Sequence, residues 1–194
     1  IGGMEVFERE SIVLHEKGAK RVSPLFIPTM ISNMAAGNLA IRYGLKGDCL
    51  NIVTACSTGT HCVGEAYRLI RFGLADAALA GGTEEGITNM SLAGFGNLGA
   101  ITKSDDPAKA ALPFDARRSG FVAGEGAGAL VLESLEHAQA RGANIIAEIT
   151  GFGSTGDAYH MTAPEPSGEG AVRAMSQALA EGGFSLEEVG HLHA

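Results

Sequence analysis

A chain of 194 residues, 45% of them hydrophobic, with 28 glycines and no tryptophan, can bury a sizeable core and suits one globular domain or part of a larger one. Its formal charge of −8 argues against general nucleic-acid binding, which needs a surplus of Lys and Arg to neutralise phosphates. The absence of a long apolar run and of a charged-then-apolar leader predicts neither membrane span nor signal peptide, and three cysteines, an odd number, suit a reducing cytoplasm better than a disulfide framework.

The opening IGGMEVF, without an initial methionine, and the closing HLHA predict a piece of a longer fold. Residues 5–17 read as a charged helix ending at the Lys17-Gly18 turn, and the basic pair Lys20 and Arg21 follows. Pro24 and Pro28 bracket Leu25, Phe26 and Ile27. From Thr29 to Tyr43 the pattern is helical and rich in small residues, which predicts a closely packed, buried helix closed by Gly44. LNIV at 50–53 predicts a short buried strand, and from Ser57 the residues Cys62, Val63, Ala66, Leu69 and Ile70 recur at helical spacing up to a stop at Gly73.

AALAGG at 77–82 predicts a parallel strand ending in a glycine turn. Residues 103–120 mix charge with proline as a surface loop does. Next come a strand at 126–133, a helix over 135–142 and a further strand at 145–154. An irregular loop over 157–170 precedes an amphipathic helix at 171–183. Strands alternating with helices place the chain in the α/β class, and no repeat or interdomain linker interrupts it.

Cys56 stands at the predicted strand-to-helix turn of NIVTACSTGTHCVG. A thiol there meets the positive end of the peptide dipoles and unpaired N–H groups, both of which favour thiolate, so Cys56 is a candidate nucleophile. Free cysteine more often serves as a small buried hydrophobe, and Cys49 and Cys62 are read that way. Cys56, His61 and Cys62 on one helix lack zinc-ligand spacing, so no metal is expected. GEGAG at 124–128 precedes a strand, the wrong order for a dinucleotide loop, and reads as close backbone packing. The Glu84-Glu85 pair reads as a solvated or ion-paired turn. His160, in a loop with Asp157, Tyr159 and Thr162, is open to either a gating or an unremarkable reading, while His61, His137 and His191 read as structural or exposed. Spacing alone fixes no histidine partner for Cys56.

TACSTG, AGGTEE, PFDARRSGFVAGEGAGALVLE and GFGSTGDAYHMTAPEPSGEGA together resemble the β-ketoacyl-acyl carrier protein synthases, of the synthase II type, along the whole length from Ile1 to Ala194. The resemblance implies a thiolase-like fold, a layered αβαβα stack of two similar halves in a homodimer. Residues 1–142 would form most of the N-terminal half and 143–194 the beginning of the C-terminal half. It implies a cytoplasmic acyltransferase of fatty-acid synthesis without cofactor. In such an enzyme Cys56 takes an acyl chain from acyl carrier protein, and the carbanion from malonyl-loaded carrier protein attacks the thioester.

Other roles are implied residue by residue. Ile1, Phe26, Ile27 and Phe95 would line the acyl pocket, with Phe26 and Ile27 contributed across the dimer. Asp157, His160 and Thr162 would lie in a mobile loop at its mouth, and Lys20 and Arg21 would meet the acidic carrier protein. Gly99 stands where a further carrier-binding arginine occurs in relatives. The family's two catalytic histidines have no counterpart in these 194 residues: HLHA sets His193 at the position of an asparagine and Ala194 just before the first of them. A polyketide-type ketosynthase or a non-catalytic chain-length-factor-like subunit is the alternative, and the presence of Cys56 argues against the latter.

Overall fold

The computed structural model describes residues 2–193; Ile1, one of the expected pocket residues, lies outside them, as does Ala194. The chain divides into two compact units, residues 1–59 with 81–129 and residues 60–80 with 130–194.

In the first unit, helix α1 (Met4–Lys17) ends where the Gly18 N–H returns to Leu14 O at 3.1 Å. The following 3-10 turn, Ala19–Arg21, is held against α1 by buried Glu10, whose Oε2 accepts the Ser23 N–H at 2.9 Å. Helix α2 (Phe26–Met30) packs on α1 through Phe26 and Phe7, ring centroids 6.3 Å apart. The helix expected over 29–43 is interrupted: Ile31 is extended (ψ 138°), and α3 spans only Met34–Tyr43. Nor is α3 buried, since none of its residues is enclosed and Ile41 is 79% exposed.

The strand expected at 50–53 is also missing. A strand is defined by ladder hydrogen bonds to a neighbour, and Leu50 and Val53 are exposed instead. Strands β1 (Ala77–Glu84) and β2 (Gly126–Glu133) form a two-stranded sheet. The Ser134 N–H reaches Asp76 O at 3.0 Å, while Gly81 lies against Gly128 and Ala129. Residue numbers rise on one strand as they fall on the other, so the pair is antiparallel and the parallel expectation for 77–82 is corrected. A Cβ on Gly81 would fall 2.0 Å from Gly128 O, so only glycine permits this approach.

Helix α5 (Asn89–Asn97) opens on a capping box in which the Thr88 hydroxyl accepts the Ser91 N–H and the Ser91 hydroxyl accepts the Thr88 N–H. The same end draws in two carboxylates, Glu8 on the Met90 N–H at 2.9 Å and Glu125 on the Ile87 N–H at 2.8 Å. Acidic side chains at a helix N-terminus are stabilised by its unpaired donors. That accounts for Glu125 within GEGAG.

In the second unit, most of helix α4 (Thr58–Arg71) carries the core. All five buried apolar residues among those described, Ala66, Tyr67, Ala80, Ala138 and Phe152, belong to this unit, whereas the buried side chains of the first are the polar Glu10, Thr88 and Ser91. Helix α6 (Leu135–Ala140) is capped by Ser134, which accepts the His137 N–H. The Glu133 carboxylate receives His137 Nδ1 at 2.7 Å and Arg141 Nε at 2.8 Å. Chiefly through the Arg141 hydrogen bond, it is held down at about 2.

Residues 145–154, expected as a strand, have no strand neighbour among the described residues. Side chains hold the segment in place of a ladder: the Tyr67 hydroxyl of α4 donates to Thr150 O at 2.9 Å, and Glu181 of α7 (Glu169–Gly182) accepts the Phe152 N–H at 3.0 Å.

Candidate active site

Cys56 is exposed in the middle of a 3-10 turn, Ala55–Ser57, that runs directly into α4. Two hydroxyls build this turn. Thr58 Oγ1 accepts the Thr54 N–H at 2.9 Å and donates to Ala55 O at 2.8 Å, and Ser57 Oγ donates to Thr54 O at 2.8 Å. They hold Ala55 at φ 51°, a left-handed conformation that costs an L-residue roughly 1–2 kcal/mol. A non-glycine residue is kept there only where its surroundings over-determine it, as is common at functional sites. The thiol thus stands just ahead of a 14-residue helix, in a turn whose N–H groups at Ser57 and Thr58 bond Thr54 O and Ala55 O.

Exposure does not single out Cys56. Cys49, expected to be a packing residue, is exposed too, because the segment after it joins no sheet; Cys62 is half-buried. Among the described residues no three His, Cys, Asp or Glu side chains gather as metal ligands would.

Of the expected pocket residues, Phe26 and Ile27 are neighbours on α2, half-buried and exposed respectively. Phe95 on α5 meets Phe121 edge to face, centroids 5.2 Å apart and planes at 82°. Lys20 and Arg21 lie exposed in the 3-10 turn. With Cys56 they belong to the first unit.

Asp157, His160 and Thr162 share one exposed loop of the second unit, between the segment 145–156 and α7. The loop closes on itself. Asp157 Oδ2 accepts the Glu165 N–H at 3.0 Å, and His160 Nδ1 accepts the N–H groups of Thr162 at 3.2 Å and Ala163 at 3.1 Å. Two donors on Nδ1 assign the neutral ring its proton on Nε2. Glu165 is held below the usual carboxylate range, chiefly by the Ser167 hydroxyl, against its desolvation and with smaller help from backbone N–H groups.

Three features were not anticipated. Ala55 carries no sequence signal for a left-handed turn. Phe121 stood unnoticed in the GFVAG run. His61, read as structural, bonds Ser154 Oγ through Nε2 at 2.7 Å across 93 positions, a link that no local pattern can announce.

The sequence profile of the β-ketoacyl synthase N-terminal domain matches residues 1–138, and that of the C-terminal domain residues 146–194. A 3-oxoacyl-[acyl-carrier-protein] synthase 2 of Staphylococcus aureus is 53% identical over 194 residues, all of this chain and 48% of the relative. One of Vibrio cholerae is 50% identical and 47% covered. The chain therefore spans about half the length of the curated relatives it matches. Among solved structures, a β-ketoacyl synthase from Burkholderia phymatum superposes with a TM-score of 0.91 at 36% identity, over 100% of this chain and 47% of that one. A ketosynthase of a type II polyketide system, in complex with its acyl-carrier protein, gives 0.87 at 34% identity, over 92% of this chain and 46% of that one. The α/β fold is that of the thiolase-like ketosynthases.

Proposed function

This chain belongs to the β-ketoacyl synthase family, and we propose that the whole protein is a 3-oxoacyl-acyl carrier protein synthase of fatty-acid synthesis with Cys56 as its acyl acceptor. The reading rests on one observation above the rest: a cysteine in a tightly bonded turn, behind a left-handed Ala55, at the head of α4. The Cys56 thiolate attacks the carbonyl of acyl-loaded carrier protein; the new C–S bond forms as the carrier's thiol leaves, taking a proton. Malonyl-loaded carrier protein then loses CO2, and its carbanion attacks the Cys56 thioester. A C–C bond forms, the Cys56 sulfur departs, and 3-oxoacyl carrier protein is released.

The remaining assignments belong to the same reading. Ile1, Phe26, Ile27 and Phe95 line the acyl pocket; Asp157, His160 and Thr162 sit at its mouth; Lys20 and Arg21 meet the carrier protein. Residues 1–142 and 143–194 belong to the two halves of the fold, and the enzyme acts as a cytoplasmic homodimer. The fatty-acid pathway is preferred to a polyketide one because identity to the synthase 2 relatives, 53%, exceeds the 34% shared with the polyketide ketosynthase.

Decarboxylation builds negative charge on the malonyl thioester oxygen and needs donors placed where it appears, and each lost donor costs on the order of a hundredfold in rate. The two histidines that supply them in the family have no match between residues 1 and 194. The test is 3-oxoacyl product formation from acyl- and malonyl-loaded carrier protein, comparing the 194-residue chain with a form extended through the C-terminal half. The extended form condenses and the short chain does not; equal rates would overturn the assignment of roles.

A further inference from the structure

Residues 61, 64 and 68 fall on one face of α4, and Phe152 lies against it. Its ring meets His61 edge to face (5.8 Å, 84°), and the Arg68 guanidinium stands over it at 4.9 Å. Gly64 offers no side chain, and the ring takes up that space. Two residues on, Ser154 is held from both helices: Gln177 Oε1 of α7 accepts its N–H at 3.3 Å, and its hydroxyl bonds His61 Nε2 at 2.7 Å. The next two residues turn to α7 in their polar contacts, Thr155 Oγ1 donating to Gly170 O at 2.6 Å and Gly156 O under Arg173 Nη2 at 3.0 Å. Then the self-closed loop of Asp157, His160 and Thr162 begins.

We infer that His61 is a positioning residue: through Ser154 it fixes the neck of the 157–168 loop on the helix that Cys56 heads. The inference deepens the proposed function and rests on it for its kinetic consequence. His61 suits the task because the Phe152 edge and the Ser154 hydroxyl both orient its ring, so that a displacement of α4 carries Ser154 with it. The loop's internal bonds keep its shape, and α7 holds one side of its neck. The His61–Ser154 bond sets the register of that neck against α4. Neither side chain need touch substrate.

The test uses the extended protein with Ser154→Ala, His61→Phe, the double variant and His61→Gln. Phenylalanine keeps an aromatic edge for Phe152 and removes the hydrogen bond; glutamine restores a donor and acceptor at comparable reach. Ser154→Ala and His61→Phe should each raise the KM for acyl-loaded carrier protein about three- to tenfold, the range one hydrogen bond supplies, with kcat changed less than twofold. Each should also speed amide exchange across 157–168. The double variant should be no worse than either single one, and His61→Gln should recover most of the loss. An unchanged KM and unchanged exchange in Ser154→Ala, losses that add in the double variant, or a lower melting temperature with KM intact would each overturn the inference. Should the unsubstituted enzyme fail to condense, the functional reading falls, while the exchange of 157–168 in Ser154→Ala still decides whether the bond anchors the loop.

Discussion

Replacing Gly64 with alanine pits helix propensity against packing, and the structure says which wins. A Cβ at this position would lie 2.4 Å from Phe152 Cε2 and 2.5 Å from Cδ2 and Cζ, where ordinary contact begins at 3.4 Å. The ring must retreat by about 1 Å, away from the His61 edge and the Arg68 guanidinium that now hold it. Overpacking of this kind costs typically about 1–3 kcal/mol, while exchanging glycine for alanine inside a helix gains about 1 kcal/mol. The net is a loss of about 1 kcal/mol, or a fall of roughly 2–4 °C in melting temperature for a chain of this size. Gly94, inside α5, supplies the control, because nothing lies within 4 Å of its would-be Cβ. Gly94→Ala should therefore raise the melting temperature by roughly 2–4 °C. Both are measured on the 194-residue chain by thermal and urea unfolding followed by circular dichroism. Equal stabilisation by the two substitutions would refute the placement of Phe152 on α4.

Glu133, held at about 2 against an ordinary 4.5, should contribute stability that is complete above pH 4.5 and lost as pH falls toward 2; urea midpoints across that window should flatten in Glu133→Gln, and an unchanged acid slope would contradict the clamp on His137 and Arg141. Charge reversal of Lys20 and Arg21 together should slow association of the extended enzyme with acyl carrier protein and weaken its salt dependence, since rim charges act mainly on encounter rate. Stopped-flow binding at low salt with unaltered rates would leave the pair as a solvated turn.

Local signals were legible where local chemistry decides. Gly18 after α1, Ser57 and Thr58 at the start of α4, and the apolar spacing of α7 marked those helices to within about two residues. β2 was found at the bounds it has, 126–133. What failed depends on partners distant in sequence. The runs at 50–53 and 145–154 carry strand-like composition, but a strand exists only when a neighbour completes its ladder. β1 was placed correctly at its start, Ala77, yet ended at a glycine turn where the strand runs on to Glu84, and it was given the wrong sense, because composition does not encode which way a neighbour runs. The helical pattern over 29–43 overrode the break at Ile31, which no glycine or proline announces.

The candidate site divides the same way. The position of Cys56 at a turn ahead of a helix was readable from Ser57 and Thr58, although the strand expected before it is absent. The left-handed Ala55 that sets this turn was not, since alanine is an uncommon choice for that conformation. The bond from His61 to Ser154 joins residues whose separation is the product of the fold itself.

Acylation of Cys56 tests the central claim most directly. The extended protein is incubated with acyl-loaded carrier protein in the absence of malonyl-loaded carrier protein, quenched in acid and digested with trypsin, and the peptide 47–68, which carries Cys49, Cys56 and Cys62 together, is fragmented by tandem mass spectrometry to locate the acyl group. The peptide containing Cys56 should gain the mass of the acyl group less one hydrogen, and lose it again when malonyl-loaded carrier protein is added before the quench. Acyl mass on Cys49 or Cys62, or none on Cys56, would contradict the account.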